Sequence, residues 1–208
     1  MDRIIFFDID KTIFDREGYL NGFLALLASE YGLSTDEVDE IGNTYEGVKK
    51  EYGYFSSEAF LAKIYTMHPQ LSEKLDYYFK PENLDKYLFK DSNILFEIKN
   101  ARLGIFSKGD IALQEIKIKK FKDVLEKDLI YIFHNKLEKI DEVLERHKDS
   151  QVILVDDNLP VLVNAKSINE NVTTILIDRD GSQEKANGID FKLASLFDIM
   201  PILNGKNT

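Results

Sequence analysis

The chain has 208 residues, 44% of them hydrophobic and 31% charged, enough to bury a sizeable core in one large domain or in a domain carrying an insert. A net charge of −10 argues against nucleic acid or an anionic membrane as the main partner, and any phosphorylated ligand then needs cations supplied locally. Without cysteine there is neither a disulfide nor a thiolate zinc site, which fits a reducing cytoplasm. No apolar run approaches the roughly 18 residues of a membrane span, and the N-terminus does not read as a signal peptide.

The first element is a run of β-favouring apolar residues, Arg3-Ile4-Ile5-Phe6-Phe7, that stops at Asp8-Ile9-Asp10-Lys11-Thr12. Such a run reads as a fully buried strand of a parallel sheet. Ligands bind in the crevice beyond the carboxyl ends of such strands, and Asp8 and Asp10 would both project there. On its own the pair reads equally well as an acidic cap of a turn or helix. After a turn at Ile13 to Gly18, Leu20, Phe23, Leu24, Leu27 and Tyr31 recur at helical spacing, with Gly32 as the stop. Ser34 with Glu37 forms a capping box for a second helix to about Glu51. Ser57 caps a third, ending before His68-Pro69, and Leu75, Tyr78 and Phe79 mark a fourth before Pro81. Residues 16–87 thus carry no strand signal.

From Asp91 the pattern changes. A helix through Ile94, Leu95 and Ile98 leads to a strand at Arg102 to Ser107 and a helix from Asp110 to Ile118. A strand at Asp128 to Phe133, a helix from Leu137 to His147 and a strand at Gln151 to Val155 follow. Pro160 starts a helix to Ile168, Thr173 to Ile177 is a strand, and Ala194 to Leu203 a closing helix. Alternating strands and helices imply right-handed βαβ units. The expected fold is α/β, a Rossmann-like parallel sheet with helices on both faces built from 1–15 and 88–208, with a small all-α bundle, 16–87, inserted.

Four strand ends then carry polar groups: Asp8 and Asp10; Ser107-Lys108-Gly109-Asp110; Lys136; and Asp156-Asp157. Parallel strands place them on one edge of the sheet. Carboxylates gathered there repel by roughly 4 kcal/mol per close pair at an effective dielectric near 20, and Mg²⁺ with oxygen ligands is the obvious compensation.

These four motifs, in this order, resemble the haloacid dehalogenase superfamily, whose members are mostly Mg²⁺-dependent phosphohydrolases. The resemblance covers almost the whole chain, and the helical block is similar to the family's cap. It implies that Asp8 is the nucleophile and Asp10 the general acid and base. It further implies that Asp8, the Asp10 carbonyl and Asp157 ligate Mg²⁺, with Asp156 assisting through water or by holding Lys136. Ser107 would bind a phosphoryl oxygen, helped by backbone N–H groups around Lys108 and Gly109, and Lys136 would offset the charge of nucleophile and phosphate. Two positions depart from the pattern. Lys11 stands where many members have Gly, and no Pro follows Lys136, whose neighbour Lys139 is the alternative.

The remaining candidates read as structural. His68, His134 and His147 show no metal-ligand spacing, although His134 lies near Lys136. Tyr45, Tyr52, Tyr54, Phe55 and Tyr65 read mostly as bundle core, and Lys117, Lys119, Lys120 and Lys122 as a solvated helix end. The expected function is a cytoplasmic, monomeric phosphatase acting on a small soluble phosphorylated metabolite. A phosphoglucomutase-like transferase and a catalytically silent phosphate- or Mg²⁺-binding module are the alternatives.

Overall fold

The computed structural model describes residues 2–72, 75–184 and 187–205. The first strand, β1 (Arg3–Phe7), is followed by three helices, α1 (Arg16–Tyr31), α2 (Thr35–Tyr52) and α3 (Ser57–Met67). Gly32 ends α1 in the left-handed conformation, φ +66°, and the Ser34–Glu37 capping box opens α2. The cap of α3 is Ser56, not Ser57: the Ser56 side chain accepts the Ala59 N–H, and Ser57 is the first helical residue. The expected fourth helix is a 3₁₀ segment, Leu75–Phe79, before the single turn α4 (Pro81–Leu84). Phe23, Leu27, Ile41, Tyr45, Val48, Phe60 and Ile64 are buried between these helices.

The chain leaves and re-enters the sheet along paired segments. Phe14 bridges Leu88, the Asp15 N–H donates to Tyr87 O and the Phe89 N–H to Ile13 O. A 3₁₀ segment, Lys90–Phe96, replaces the helix expected around Ile94. Then come β2 (Arg102–Lys108), α5 (Ile111–Lys117), β3 (Leu125–Phe133), α6 (Ile140–Arg146), β4 (Gln151–Asp156), α7 (Leu159–Ile168), β5 (Thr173–Ile177), β6 (Phe191–Leu193) and α8 (Ile199–Leu203).

All six strands are parallel, in the order β3-β2-β1-β4-β5-β6. Side chains alternate across the sheet as a two-residue period requires. Ile5 and Phe7 join one core with Leu113 of α5 and Ile199 of α8; Ile4 and Phe6 join another with Val143 of α6 and Leu162 of α7. This is an α/β Rossmann-like fold, with an all-helical block between β1 and β2.

Candidate active site

From β1 the chain builds outward to β2 and β3, then crosses back to β4 on the other side. The crevice between the ends of β1 and β4 is therefore the topological switch point. Asp8 follows β1 directly, and its N–H donates to Val155 O at 2.8 Å, which fixes it beside Asp156 at the end of β4. Lys136 opens a short 3₁₀ turn (Lys136–Glu138) after β3. Its ammonium donates to Asp8 Oδ1 and to Asp156 Oδ2, both at 2.6 Å, and all three side chains are buried. The other Asp156 oxygen accepts the Asn158 N–H at 2.9 Å. Lys139 instead pairs with Glu142 at the surface.

Asp157 completes the group, with carboxylate oxygens of Asp8, Asp156 and Asp157 all within 4.8 Å of one another. One ammonium faces three carboxylates, and each like-charged pair costs about 3 kcal/mol at an effective dielectric of 20. Burial and then the neighbouring carboxylates push Asp156 up to about 8 and Asp157 up to about 7, against the pull of Lys136. Asp8 is raised as well, chiefly by burial. Burial favours a neutral Lys136, but Asp156 and Asp8 outweigh it and hold the lysine charged. Carboxylates crowded until they retain protons, all hard oxygen donors, fit a hard divalent cation such as Mg²⁺. Asp156 is occupied by Lys136, whereas the Asp157 carboxylate accepts no hydrogen bond among the described residues.

Asp10 lines a cleft of about 310 Å³ between the sheet edge and the helical block. Its oxygens accept from Lys117 Nζ at 2.6 Å and Gln114 Nε2 at 3.3 Å, both on α5. Lys117 is thus not part of a solvated helix end. It is only 4% exposed, lies 4.7 Å over the Phe14 ring and pairs with Asp10, while Lys119, Lys120 and Lys122 are exposed. Gln114 also donates to Ser107 Oγ at 3.2 Å and to Lys108 O at 3.0 Å, so one side chain ties the end of β2 to Asp10. Ser107 is fully buried, and its hydroxyl draws the Asp8 carboxyl down a little against the effect of burial.

One expected anion contact is spent elsewhere. The Gly109 N–H donates to Phe133 O at 2.9 Å, so it extends the sheet and does not serve a ligand. Lys108 and Gly109 nevertheless line the cleft. Asp110 caps α5 through Leu113 N–H and with its other oxygen accepts the N–H and hydroxyl of Ser57, at 3.0 and 2.8 Å, tying α3 to the sheet edge. His134 stacks on Tyr54 of the helical block, with ring centroids 4.0 Å apart.

The loop between Asp8 and Thr12 carries a strained residue, Lys11, at φ +64°. Its brace was invisible in the sequence. Arg179, just past β5, donates to Lys11 O at 3.1 Å and Thr12 O at 2.5 Å, and makes a two-pronged pair with Asp91 at 2.8 and 3.0 Å. Its guanidinium lies 3.7 Å from the Phe89 ring centre. Asp91 also accepts from Ser195 Oγ and Leu196 N–H.

A doubly wound sheet in this order, with acidic pairs after its first and fourth strands and a helical block after the first, is the fold of the haloacid dehalogenase-like hydrolases, and the chain has that fold. A structure described as a haloacid dehalogenase-like hydrolase from Burkholderia xenovorans LB400 superposes with a TM-score of 0.78 at 19% identity, over 99% of this chain and 98% of that one. The HAD-hydrolase YfnB of Bacillus subtilis, bound to magnesium, gives 0.64 at 16% identity, over 98% and 99%. The L-2-haloacid dehalogenase of Xanthobacter autotrophicus, with chloropropionic acid covalently bound, gives 0.66 at 15% identity over the whole of both chains. No protein-family model and no curated protein matches the sequence.

Proposed function

We propose that the protein is a Mg²⁺-dependent phosphomonoesterase acting on a small phosphorylated metabolite through an aspartyl-phosphate. The observation that carries this reading is Asp10: a second carboxylate, separate from the acidic group around Asp8, held at the wall of the cleft. An ester oxygen needs a proton as it leaves; a halide does not.

In this reading an Asp8 oxygen attacks phosphorus, the phosphorus–ester bond breaks, and Asp10 gives its proton to the departing alkoxide. Asp10 then takes a proton from water as that water attacks the aspartyl-phosphate, releasing inorganic phosphate and freeing Asp8. Lys136 fixes the Asp8 carboxylate, Lys117 and Gln114 fix that of Asp10, and Ser107 orients Asp8 and the phosphoryl group. Asp8, the Asp10 carbonyl and Asp157 would hold Mg²⁺, with Asp156 retaining Lys136; the ion, when bound, supplies positive charge to the phosphoryl oxygens. Residues 16–87 act as a cap over a core of 1–15 and 88–208, excluding water from the first step.

Hydrolytic dehalogenation is the second reading, favoured by the haloacid dehalogenase among the structural neighbours. Release of phosphate from p-nitrophenyl phosphate and of chloride from 2-chloropropionate separates the two, run with Mg²⁺, with chelator, and in Asp8→Asn and Asp10→Asn. Metal-dependent phosphate release lost in both variants supports the phosphatase. Chloride release that survives chelator and Asp10→Asn overturns it.

A further inference from the structure

We infer that the substrate carries a second anionic group, a carboxylate or another phosphate, bound on the helical side of the cleft by Arg16 and the Tyr19 hydroxyl. The inference rests on the phosphatase reading for the position of the first phosphoryl group, at Asp8. Most charges along the cleft are already matched. Asp10 is paired with Lys117, Asp110 is used by Leu113 and Ser57, and Lys49 is paired with Glu46 at 2.8 Å. The unmatched charges are Arg16, on α1, and Lys108, on β2; both are cations, and neither forms an ion pair among the described residues. On a chain of net charge −10, two uncompensated cations facing one small cleft reverse the local sign.

A second observation is independent of charge. Tyr19 lines the same cleft, three residues after Arg16 on α1, and its hydroxyl is buried without a hydrogen-bond partner. A buried hydroxyl left unmatched costs stability, and a ligand oxygen would satisfy it. Tyr45 shares the pocket, within electrostatic reach of both Arg16 and Asp10. A guanidinium and an unpartnered hydroxyl lining one cleft suit the planar or tetrahedral oxygens of a carboxylate or phosphate. At about 310 Å³ the cleft lies at the small end of ligand sites, so the two anionic ends belong to one compact molecule.

The test uses one series: glycerol 3-phosphate, whose remainder is neutral; 3-phosphoglycerate, which adds a carboxylate; and glycerol 1,3-bisphosphate, which adds a phosphate. kcat/KM is measured with the wild type, and Kd by calorimetry with Asp8→Asn in Mg²⁺ buffer, which reads recognition without turnover. One or both members with a second anionic group should be preferred at least about tenfold, and which one identifies the anion. Arg16→Gln should bring that ratio within about twofold, Arg16→Lys should keep part of it, and Tyr19→Phe should lower it about fivefold. A ratio near one in the wild type, or one that persists in Arg16→Gln, overturns the inference. Absence of turnover of every ester, including p-nitrophenyl phosphate, overturns the phosphatase reading alone, because the binding ratio is still read in Asp8→Asn.

Discussion

Among the described residues Lys136 is the cation bonded within the group formed by Asp8, Asp156 and Asp157, and Lys136→Met isolates what it contributes. The lysine makes two 2.6 Å contacts and is almost fully buried, so neither water nor another described side chain replaces it. At an effective dielectric of 20 each contact is worth about 6 kcal/mol of gross attraction, set against the desolvation of every partner. Removing one member of a buried ion pair costs about 3–5 kcal/mol, and here two carboxylates lose their partner, so the upper part of that range applies. The loss depends on pH. Asp156 and Asp157 already titrate near 8 and 7, above the ordinary carboxylate value, so the folded protein holds protons that the unfolded chain releases near pH 4. Stability from this source is complete below about pH 4 and declines as pH rises through 7 and 8. Without Lys136 the carboxyls rise further and the decline steepens. Urea unfolding at pH 5.0 and 8.5 measures this, with the larger loss expected at pH 8.5 and Lys136→Arg closer to wild type than Lys136→Met. A loss below about 1 kcal/mol, equal at both pH values, would refute the account, because that is the scale of an exposed ion pair.

Arg179→Met should destabilise the fold by about 2–4 kcal/mol in urea unfolding, because it strands buried Asp91 and frees the Lys11 and Thr12 carbonyls. Burial raises the Asp91 carboxyl, but Arg179, Ser195 and the Leu196 N–H outweigh it and hold it below its ordinary value, so this cost should shrink in acid as Asp91 is protonated in both states. Lys11→Gly relieves the left-handed backbone by about 1 kcal/mol, against the loss of an exposed contact to Glu17 and a weak pull on Asp157, so calorimetry should record a melting temperature about 2–4 °C higher. Gly104→Ala would bring a methyl within 2.6 Å of Leu129 O and 2.8 Å of the Phe6 ring at the β2–β3 irregularity, costing about 1–3 kcal/mol; an unchanged urea midpoint would contradict the packing described.

The sheet was legible because its strands announce themselves locally. Arg3 to Phe7, Gln151 to Val155 and Thr173 to Ile177 are short apolar runs bounded by polar residues, and the observed elements agree to within a residue. Boundaries slipped where tertiary contacts decide the winding. The helix expected from Leu137 starts only at Ile140, after a tight turn that carries Lys136 into the acidic group. The segment around Ile94 winds as 3₁₀, and its Asp91 is held by Arg179 and the Leu196 N–H. Neither partner is near in sequence, and no periodicity signals the need for them.

Lys136 and Lys117 show what separates a readable residue from an unreadable one. Lys136 follows a strand closely, with Lys139 as its one rival, so a lysine at the sheet edge follows from topology. Lys117 sits in a run with Lys119, Lys120 and Lys122, and composition makes it one of four equivalent surface charges. Helical geometry distinguishes it. With Asp110 fixing the start of α5, Leu113, Gln114 and Lys117 fall on one face, and that face meets the sheet edge, where Asp10 stands. The signal was the three-residue step from Gln114 to Lys117 on a capped helix. It gains meaning only once the Asp8–Asp10 loop is known to end opposite that helix, a relation between residues 107 positions apart.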